Sequence, residues 1–336
     1  MKTIMELGLS PENKKNTTEE KTKPVWLQKD RTDRKRIHLA GLGDVGRNVA
    51  IGLTLLGEEV VESIGLYDLN EAQCKRMETE LSQIAAPPGG KRIPPVSSVS
   101  WDEIFACDVF LFCATKSVPA LGSDVKDVRM AQYEANREIV ALYAREAART
   151  GYQGLFVIVS DPVDLLCMEA LRASRGEEGA RALTTDQIRG CGLGVMNARA
   201  AYYARKHSEF SLYLEEGRAF GPHGQNLVIA NSIVPEHYDD ECSRKLTELT
   251  VGANMEVRAL GFKPFLAPAM SSAVLTILAL LRGEWNYSAA YLNGLYFGAL
   301  NRQTSEGVEW ESCPLPDLLF VRLEEAFESL KEILWN

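Results

Sequence analysis

A glycine-rich segment, G-L-G-D-V-G at positions 41–46, has the spacing of a phosphate-binding loop. Gly41 would permit a tight turn, Gly43 would let the backbone approach a pyrophosphate, and Gly46 would let a helix pack closely on the preceding strand. The free N–H groups and the positive dipole at the N-terminus of that helix would face the phosphate oxygens. The segment therefore predicts a dinucleotide-binding site.

An acidic residue stands where the adenosine ribose of such a dinucleotide would lie. Asp68 ends the second predicted strand, 22 residues after Gly46, and a carboxylate there accepts hydrogen bonds from ribose hydroxyls. It would repel a 2′-phosphate, and no Arg occurs at positions 69–71, so we expect NAD and not NADP. The alternative is a turn aspartate in an unrelated α/β fold. The predicted cofactor-binding residues are Gly41, Gly43, Asp44, Val45, Gly46, Asp68 and Ala114.

The elements that must position this loop alternate between short apolar runs and helical patterns. Strands are predicted at 36–40, 63–67, 96–101, 108–114 and 155–160, and helices at 45–56, 71–85 and 127–149. Because strands separated by single helices need crossover connections, the pattern predicts a parallel sheet with right-handed crossovers.

The pattern changes after residue 185. Helices are predicted near 196–208, 239–262, 268–282 and 317–335, and short strands near 211–214, 217–220 and 286–299. We therefore predict an α/β protein with three parts. A flexible N-terminal arm (1–34) precedes a Rossmann-type, doubly wound parallel sheet that binds NAD (35–185), and an α+β substrate-binding and oligomerisation domain (186–336) follows.

Composition narrows the class of protein. The 336 residues are 46% hydrophobic and carry a net charge of −9, which fits a globular protein and argues against nucleic-acid binding. The chain lacks both a signal-peptide pattern and an uncharged apolar run of about 18 residues, so we expect a cytoplasmic protein without a membrane partner. Seven cysteines without metal-ligand spacing predict reduced thiols and no metal site.

Three further motifs follow the glycine loop in order: V-I-V-S-D-P-V-D at 157–164, G-V-M-N-A-R at 194–199 and G-P-H-G-Q at 221–225. Together the four motifs resemble the lactate/malate dehydrogenase family, and the resemblance extends over about residues 35–336. It implies hydride transfer between nicotinamide C4 and C2 of a 2-hydroxy or 2-oxo acid. It also implies a small-molecule carboxylate substrate and assembly as a homodimer or homotetramer.

The resemblance assigns roles to two residues. His223 matches the proton-transferring histidine of the family, and an imidazole suits this role because its pKa is ordinarily close to neutrality. Arg199 matches the arginine that binds the substrate carboxylate through two parallel hydrogen bonds. A structural turn histidine and a helix-surface arginine are the alternatives.

Two positions beside these residues depart from the family. Met196 stands where the family has the aspartate that orients the catalytic histidine, and a thioether accepts a hydrogen bond from an imidazole only weakly. Asp161 stands where the family has an asparagine. We hypothesise that the carboxylate lost at position 196 has moved to Asp161, which would then be the catalytic partner of His223. Alternatively, Asp161 only caps the turn before Pro162.

The loop after residue 114 departs as well. Counting back from Gln132 and Asn136, the family's catalytic arginine falls on Asp127, with cationic residues on either side. The loop between the strand predicted at 108–114 and the helix predicted at 127–149 is about a dozen residues long, which favours a mobile lid. The residues predicted to bind substrate are Arg199, Arg129 and Lys126.

Three functions are compatible with this mixture. His223 and Arg199 favour an NAD-dependent dehydrogenase with an altered substrate, and Asp127 with Asp161 would favour a substrate that carries a cationic group. The changes at positions 127, 161 and 196 favour a catalytically impaired NAD-binding homologue that acts as a sensor or scaffold. Redox-neutral chemistry with a bound cofactor is the third possibility. For the oligomer, Met77, Leu81 and Ile84 of the second predicted helix are expected at the interface, with the chain's own core as the alternative.

Overall fold

One large sheet organises the protein in the computed structural model, which describes residues 2–9, 34–116, 128–176, 179–224 and 226–335, with the backbone alone at 128 and 129. The strands in these ranges are β1 (Lys35–Ala40), β2 (Val61–Tyr67), β3 (Val96–Ser98), β4 (Val109–Phe112), β5 (Leu155–Ile158), β6 (Ile188–Gly190), β7 (Arg218–Phe220), β8 (Val228–Ala230), β9 (Asn286–Leu292), β10 (Leu295–Thr304) and β11 (Gly307–Trp310).

Helices cover both faces of this sheet. They are α1 (Asp44–Leu56), α2 (Glu71–Ser82), α3 (Val128–Arg149), α4 (Val163–Ser174), α5 (Leu193–Lys206), α6 (Tyr213–Glu216), α7 (Asp240–Ala259), α8 (Leu275–Arg282) and α9 (Asp317–Trp335). A π-helical segment, Pro268–Val274, leads directly into α8.

The strand order in the sheet is β11-β10-β9-β6-β5-β4-β1-β2-β3. The six strands from β3 to β6 pair in parallel, in the order of a doubly wound dinucleotide-binding fold. The chain passes from β1 outwards to β2 and β3 and then returns to place β4 on the other side of β1. In such folds, ligands bind at this reversal of strand order, beside the carboxyl ends of β1 and β4. The predicted α/β class with a Rossmann-type sheet is confirmed.

The second half of the chain extends the same sheet. β9 pairs antiparallel with β6, and β10 and β11 follow antiparallel, while β7 and β8 form a separate hairpin. The domain boundary predicted at residue 185 therefore lies within one continuous sheet, and the division into domains stays a prediction.

Two local predictions in this half are corrected. The single strand expected at 286–299 is two strands, because Asn293 and Gly294 turn the chain with φ values of 46° and 112°. The strand expected near 211–214 is wrong: a 3-10 turn (Ser208–Phe210) precedes α6. Phe210 and Tyr213, three residues apart, are each only 3% exposed, so the burial follows a helical spacing and not the alternation of a strand.

Residues 2–9, the first part of the predicted N-terminal arm, pack against the rest of the protein. Ile4 and Leu7 are buried in the main core, and Asn293 Nδ2 donates to the carbonyl oxygens of Met5 and Leu7 at 2.9 and 2.8 Å. For residues 2–9 the expectation of flexibility is therefore corrected, because their apolar side chains complete the core beside α9. Residues 10–33 lie outside the described residues.

The interface predicted on α2 is also corrected. Met77 and Leu81 are each 3% exposed and belong to a core cluster within the chain, and Ile84 packs against that cluster. The apolar stripe of α2 faces the chain's own sheet and is not available to a second subunit.

Candidate cofactor and catalytic site

The glycine loop connects β1 to α1, and its three glycines meet different surroundings. Gly41 has φ +96°, and a methyl group there would lie 2.5 Å from the backbone nitrogen of Ala114. A methyl group at Gly46 would overlap the carbonyl oxygen of Gly41, whereas one at Gly43 would meet nothing within 4 Å. Gly41 and Gly46 therefore allow close packing, and Gly43 borders an open space at the N-terminus of α1. This arrangement fits the approach of a pyrophosphate.

Asp68 fixes the glycine loop to the end of β2. Its Oδ2 accepts from the Leu42 N–H at 2.6 Å, and its Oδ1 accepts from the Asn70 N–H at 2.9 Å. A carboxylate offers about four lone-pair positions, so these two bonds leave acceptor capacity for ribose hydroxyls. The sequence pointed to Asp68 as a ribose ligand but not to its second role of holding the loop.

Asp44 brings negative charge to the loop that would receive the phosphates. Its Oδ1 lies 2.7 Å from Arg47 Nη2 and its Oδ2 lies 3.5 Å from Lys263 Nζ. The two cations offset the charge of the carboxylate at the mouth of the loop. Val45 next to it packs against the core cluster under α1.

His223 and Asp161 are brought together although 62 residues separate them. His223 Nδ1 lies 2.9 Å from Asp161 Oδ1, and the side chains are 16% and 46% exposed. Asp161 follows β5, and His223 lies in the β7–β8 turn. This is the contact that the hypothesis of a relocated carboxylate requires. Because an ionised carboxylate can only accept, it assigns the proton to Nδ1 in the neutral imidazole.

Met196 and Arg199 lie on α5, which starts just after β6. Met196 is 4% exposed, and its sulfur lies 3.7 Å from Arg199 Nη1. Burial lowers the pKa of the Arg199 guanidinium, and the charge of Asp161 opposes this shift. Asp161 is therefore an electrostatic neighbour of both His223 and Arg199, although it comes from a different segment than the family's aspartate.

Asn136 on α3 is a site residue that the sequence analysis used only for counting. It is 1% exposed, and its Nδ2 donates to the carbonyl oxygen of Asp161 at 2.9 Å. Its Oδ1 accepts from the N–H of Lys116 at 2.9 Å and from the Thr115 hydroxyl at 3.2 Å. Asn136 thus ties the segments after β4 and β5 together. Because Gln132 on the same helix also carries an amide, the sequence alone did not distinguish Asn136.

Asp164 was also missed by the sequence analysis. It lies in the first turn of α4, is 2% exposed, and its Oδ2 accepts from the peptide N–H of His223 at 3.3 Å. The motif D-P-V-D thus contributes two carboxylates to His223, one to the side chain and one to the main chain.

The side chains predicted to line the lid lie outside the described residues. Lys126 and Asp127 fall in the range 117–127, and for Arg129 only the backbone is described. Ala114, where the loop begins, is partly buried, and its carbonyl oxygen accepts from the Ser160 hydroxyl at 2.8 Å. The roles of Lys126 and Arg129 stay predictions.

Among the described residues, the histidine, cysteine, aspartate and glutamate side chains form no group of three that could hold a metal ion. Within the same ranges, no helix has both the length and the apolar character needed to span a bilayer.

Sequence comparisons find low-identity relatives. No protein-family model matches the chain. It is 25% identical over 213 residues to an L-lactate dehydrogenase of Treponema denticola, covering 62% of that protein. It is 24% identical over 287 residues to L-lactate dehydrogenase 2 of Bacillus cereus, covering 76% of this chain and 85% of that protein. The match to the first relative thus spans less than two thirds of its length.

Solved structures match nearly the whole fold. The minor L-lactate dehydrogenase of Enterococcus mundtii superposes with a TM-score of 0.71 at 19% identity, over 90% of this chain and 98% of that one. The malate dehydrogenase of Aeropyrum pernix gives a TM-score of 0.72 at 20% identity, over 89% and 97%. At such identities these structures show a common fold. The sequence relatives and the structural neighbours are thus proteins named lactate or malate dehydrogenase, to which this chain is similar at low identity.

Proposed function

We propose that the chain is an NAD-dependent oxidoreductase that transfers hydride between NAD(H) and a 2-hydroxy or 2-oxo acid. The observation that carries this proposal is the 2.9 Å contact between His223 Nδ1 and Asp161 Oδ1. It lies at the edge of the sheet where the parallel strands end, as does the open glycine loop. A dinucleotide in the crevice would extend towards the imidazole.

NAD binding is supported by the glycine loop and by Asp68. The backbone N–H groups at the start of α1 would hold the pyrophosphate next to Gly43, and Asp68 would accept from the ribose hydroxyls. The nicotinamide ring, when bound, supplies the hydride chemistry. The protein's own part is to orient the acid, exclude water and move one proton.

Proton transfer falls to His223. With Nδ1 bonded to Asp161, Nε2 is the nitrogen available to a substrate oxygen. In the oxidation direction Nε2 would accept the hydroxyl proton as the hydride leaves C2, and Asp161 would stabilise the imidazolium that forms. In reduction the imidazolium would return that proton to the carbonyl oxygen.

Arg199 would bind the substrate carboxylate. Its guanidinium is largely shielded from water, where a bidentate pair with a carboxylate is strong. The carboxylate of Asp161 would disfavour a second anionic group nearby. This repulsion argues against malate, and Asp127 at the position of the family's catalytic arginine argues against plain lactate as well. We therefore propose an altered substrate, and we retain Lys126 and Arg129 as further substrate-binding residues.

We further propose that the protein works in the cytoplasm as a homodimer or homotetramer. All seven cysteines are unpaired thiols, as expected in a reducing compartment. Met255, Leu260, Phe262 and Leu266, from the end of α7 onwards, are 53%, 74%, 69% and 61% exposed. Such apolar surface favours contact with a second subunit more than the buried stripe of α2 does.

One observation favours a second function. Met196 gives no carboxylate to the histidine, so a catalytically impaired NAD-binding sensor or scaffold would retain the same fold. In that case NAD would bind without turnover.

The test is an assay of the purified protein with NADH and a panel of 2-oxo acids, followed by nicotinamide absorbance. The panel includes pyruvate, oxaloacetate, and branched, aromatic and amino-bearing acids. We expect oxidation of NADH that His223→Ala abolishes. The matched control is His237→Ala, because His237 Nδ1 also contacts a carboxylate, that of Glu216, at 3.0 Å but belongs to none of the predicted site motifs. NAD binding without turnover on any acid would favour the sensor or scaffold.

A further inference from the structure

His223 lies in a turn that contains two glycines at positive φ. Gly221, two residues before the histidine, and Gly224, directly after it, have φ values of 88° and 129°, a region that glycine enters easily. The turn is closed by bonds from the Gly221 N–H to the Gly298 carbonyl oxygen at 2.8 Å and from the Leu227 N–H to the Gly224 carbonyl oxygen at 3.1 Å. Neither bond involves the histidine itself, whose polar contacts come from another segment of the chain.

Contacts to His223 come from three positions. Asp161 bonds the imidazole, and Asp164 accepts from the peptide N–H at 3.3 Å. Gly192 supplies the third, because a methyl group there would lie 2.9 Å from His223 Cβ. The histidine is thus held at its ring, its main-chain nitrogen and its β-carbon.

Asp164 is the unusual member of this set because its side chain is ionisable and yet buried. Its exposed fraction is 2%, whereas the Asp161 side chain is 46% exposed. Burying a carboxylate costs free energy that hydrogen bonds and nearby positive dipoles must offset. The first turn of α4 supplies such a dipole. A charged acceptor bonds a peptide N–H more strongly than a neutral one.

We propose that Asp164 is a positioning residue for His223. It anchors the main chain of the turn, so that the ring keeps Nδ1 on Asp161 and turns Nε2 towards the substrate. Asp161 and Asp164 are three residues apart at the start of α4, so the ring and the main chain of the histidine are both bonded to the same short segment. The consequence for catalysis rests on the proposed function, but the geometry can be measured without any substrate.

The test compares Asp164→Ala, which removes the acceptor, with Asp164→Asn, which keeps a carbonyl oxygen in its place. The readout is the imidazole 15N–1H NMR signal of His223 in the full-length, uniformly labelled protein. The chain has four histidines, and the His223 signal is assigned by its loss in His223→Gln. Asp161→Ala supplies the reference for an imidazole without a hydrogen-bond acceptor at Nδ1.

We expect the wild type and Asp164→Asn to retain the hydrogen-bonded Nδ1–H signal, and Asp164→Ala to lose it as Asp161→Ala does. Retention of the wild-type signal in a folded Asp164→Ala would overturn the proposal and leave Asp164 as a cap of α4 alone. If Asp164→Ala does not fold, Asp164→Ser takes its place, because its hydroxyl is too short to span the same distance. Asp317→Ala, which removes a first-turn acid from α9, controls for the loss of a helix-dipole contact.

Kinetics then separate this inference from the proposed function. With any active 2-oxo acid, Asp164→Ala should lower kcat by about tenfold or more, with the Kd for NADH unchanged and Asp164→Asn within about threefold of the wild type. An NMR loss without turnover on any acid would reject the dehydrogenase and keep the positioning role. Turnover of a 2-oxo acid by the wild type, together with an unchanged NMR signal in Asp164→Ala, would support the dehydrogenase and reject the positioning role.

Discussion

The glycine loop and the His223 site lie at the same edge of the sheet, yet they differ in how closely they follow the family. In the glycine loop each position has the surroundings that a pyrophosphate site needs, from the crowded Gly41 and Gly46 to the open Gly43. At His223 the expected orienting position is a buried methionine, and a carboxylate from another segment contacts the ring. The difference teaches that a cofactor loop is constrained by backbone geometry, whereas a catalytic pair requires only that two groups meet.

The largest effect is expected for Asp161→Asn. It replaces the charged partner of His223 with an amide, so the imidazolium loses its stabilising charge, and kcat should fall by at least about 100-fold. Steady-state kinetics with the best 2-oxo acid measure the loss. Glu216→Gln, which alters the carboxylate beside His237, is the matched control and should keep wild-type kcat. An unchanged rate in Asp161→Asn would show that the relocated carboxylate has no catalytic role.

The double variant Met196→Asp/Asp161→Asn sharpens the same point, since it restores the residue types that the family has at both positions. We expect the kcat of the double variant to be at least about tenfold higher than that of Asp161→Asn, because a carboxylate on α5 would again face the histidine. Activity no higher than in Asp161→Asn would mean that the two positions are not interchangeable here.

Arg199→Lys should have the next largest effect. Lysine keeps the positive charge but loses the planar pair of donors, so kcat/KM should fall about 10- to 100-fold, mostly through KM. Steady-state kinetics of Arg199→Lys and wild type with each active 2-oxo acid measure the change in KM. A wild-type KM would remove Arg199 from the substrate site.

Gly43→Ala tests the cofactor side of the comparison. Because a methyl group there meets nothing within 4 Å, the variant should keep its Tm. It should nevertheless raise the Kd for NAD by about tenfold, or about 1.4 kcal/mol, since the methyl group enters the space of the pyrophosphate. Gly46→Ala should behave oppositely, with a loss of about 1–3 kcal/mol in stability from overpacking. Fluorescence titration with NADH and thermal melts distinguish the two, and equal NADH affinity in Gly43→Ala and wild type would place the cofactor elsewhere.

Asp44→Asn should give the smallest effect, and it should strengthen cofactor binding where Gly43→Ala weakens it. Removing this charge frees Arg47 and Lys263 to attract phosphate, so NADH should bind about two- to fivefold more tightly at low ionic strength, with less gain in high salt. Weaker binding would instead mean that Asp44 contributes to the cofactor site by ordering Arg47.

The sequence by itself determined the Rossmann-type sheet and the glycine loop. Both depend on local features, namely apolar runs separated by helices and glycines at fixed spacing, which a linear pattern records. Short strands with little periodicity, such as β6 and β8, were missed, and the apolar stripe of α2 was misassigned to an interface because periodicity alone does not tell what covers a helix face.

Only the tertiary structure decided which groups meet. His223 and Asp161 are 62 residues apart in the chain, and the sequence could offer their contact only as a hypothesis. Asp164 and Asn136 showed no local signal for a role at the site, yet their bonds to the His223 N–H and the Asp161 carbonyl oxygen join separate loops. Hydrogen bonds between strand-end loops depend on how the sheet aligns those ends in space, and no spacing along the chain encodes that alignment.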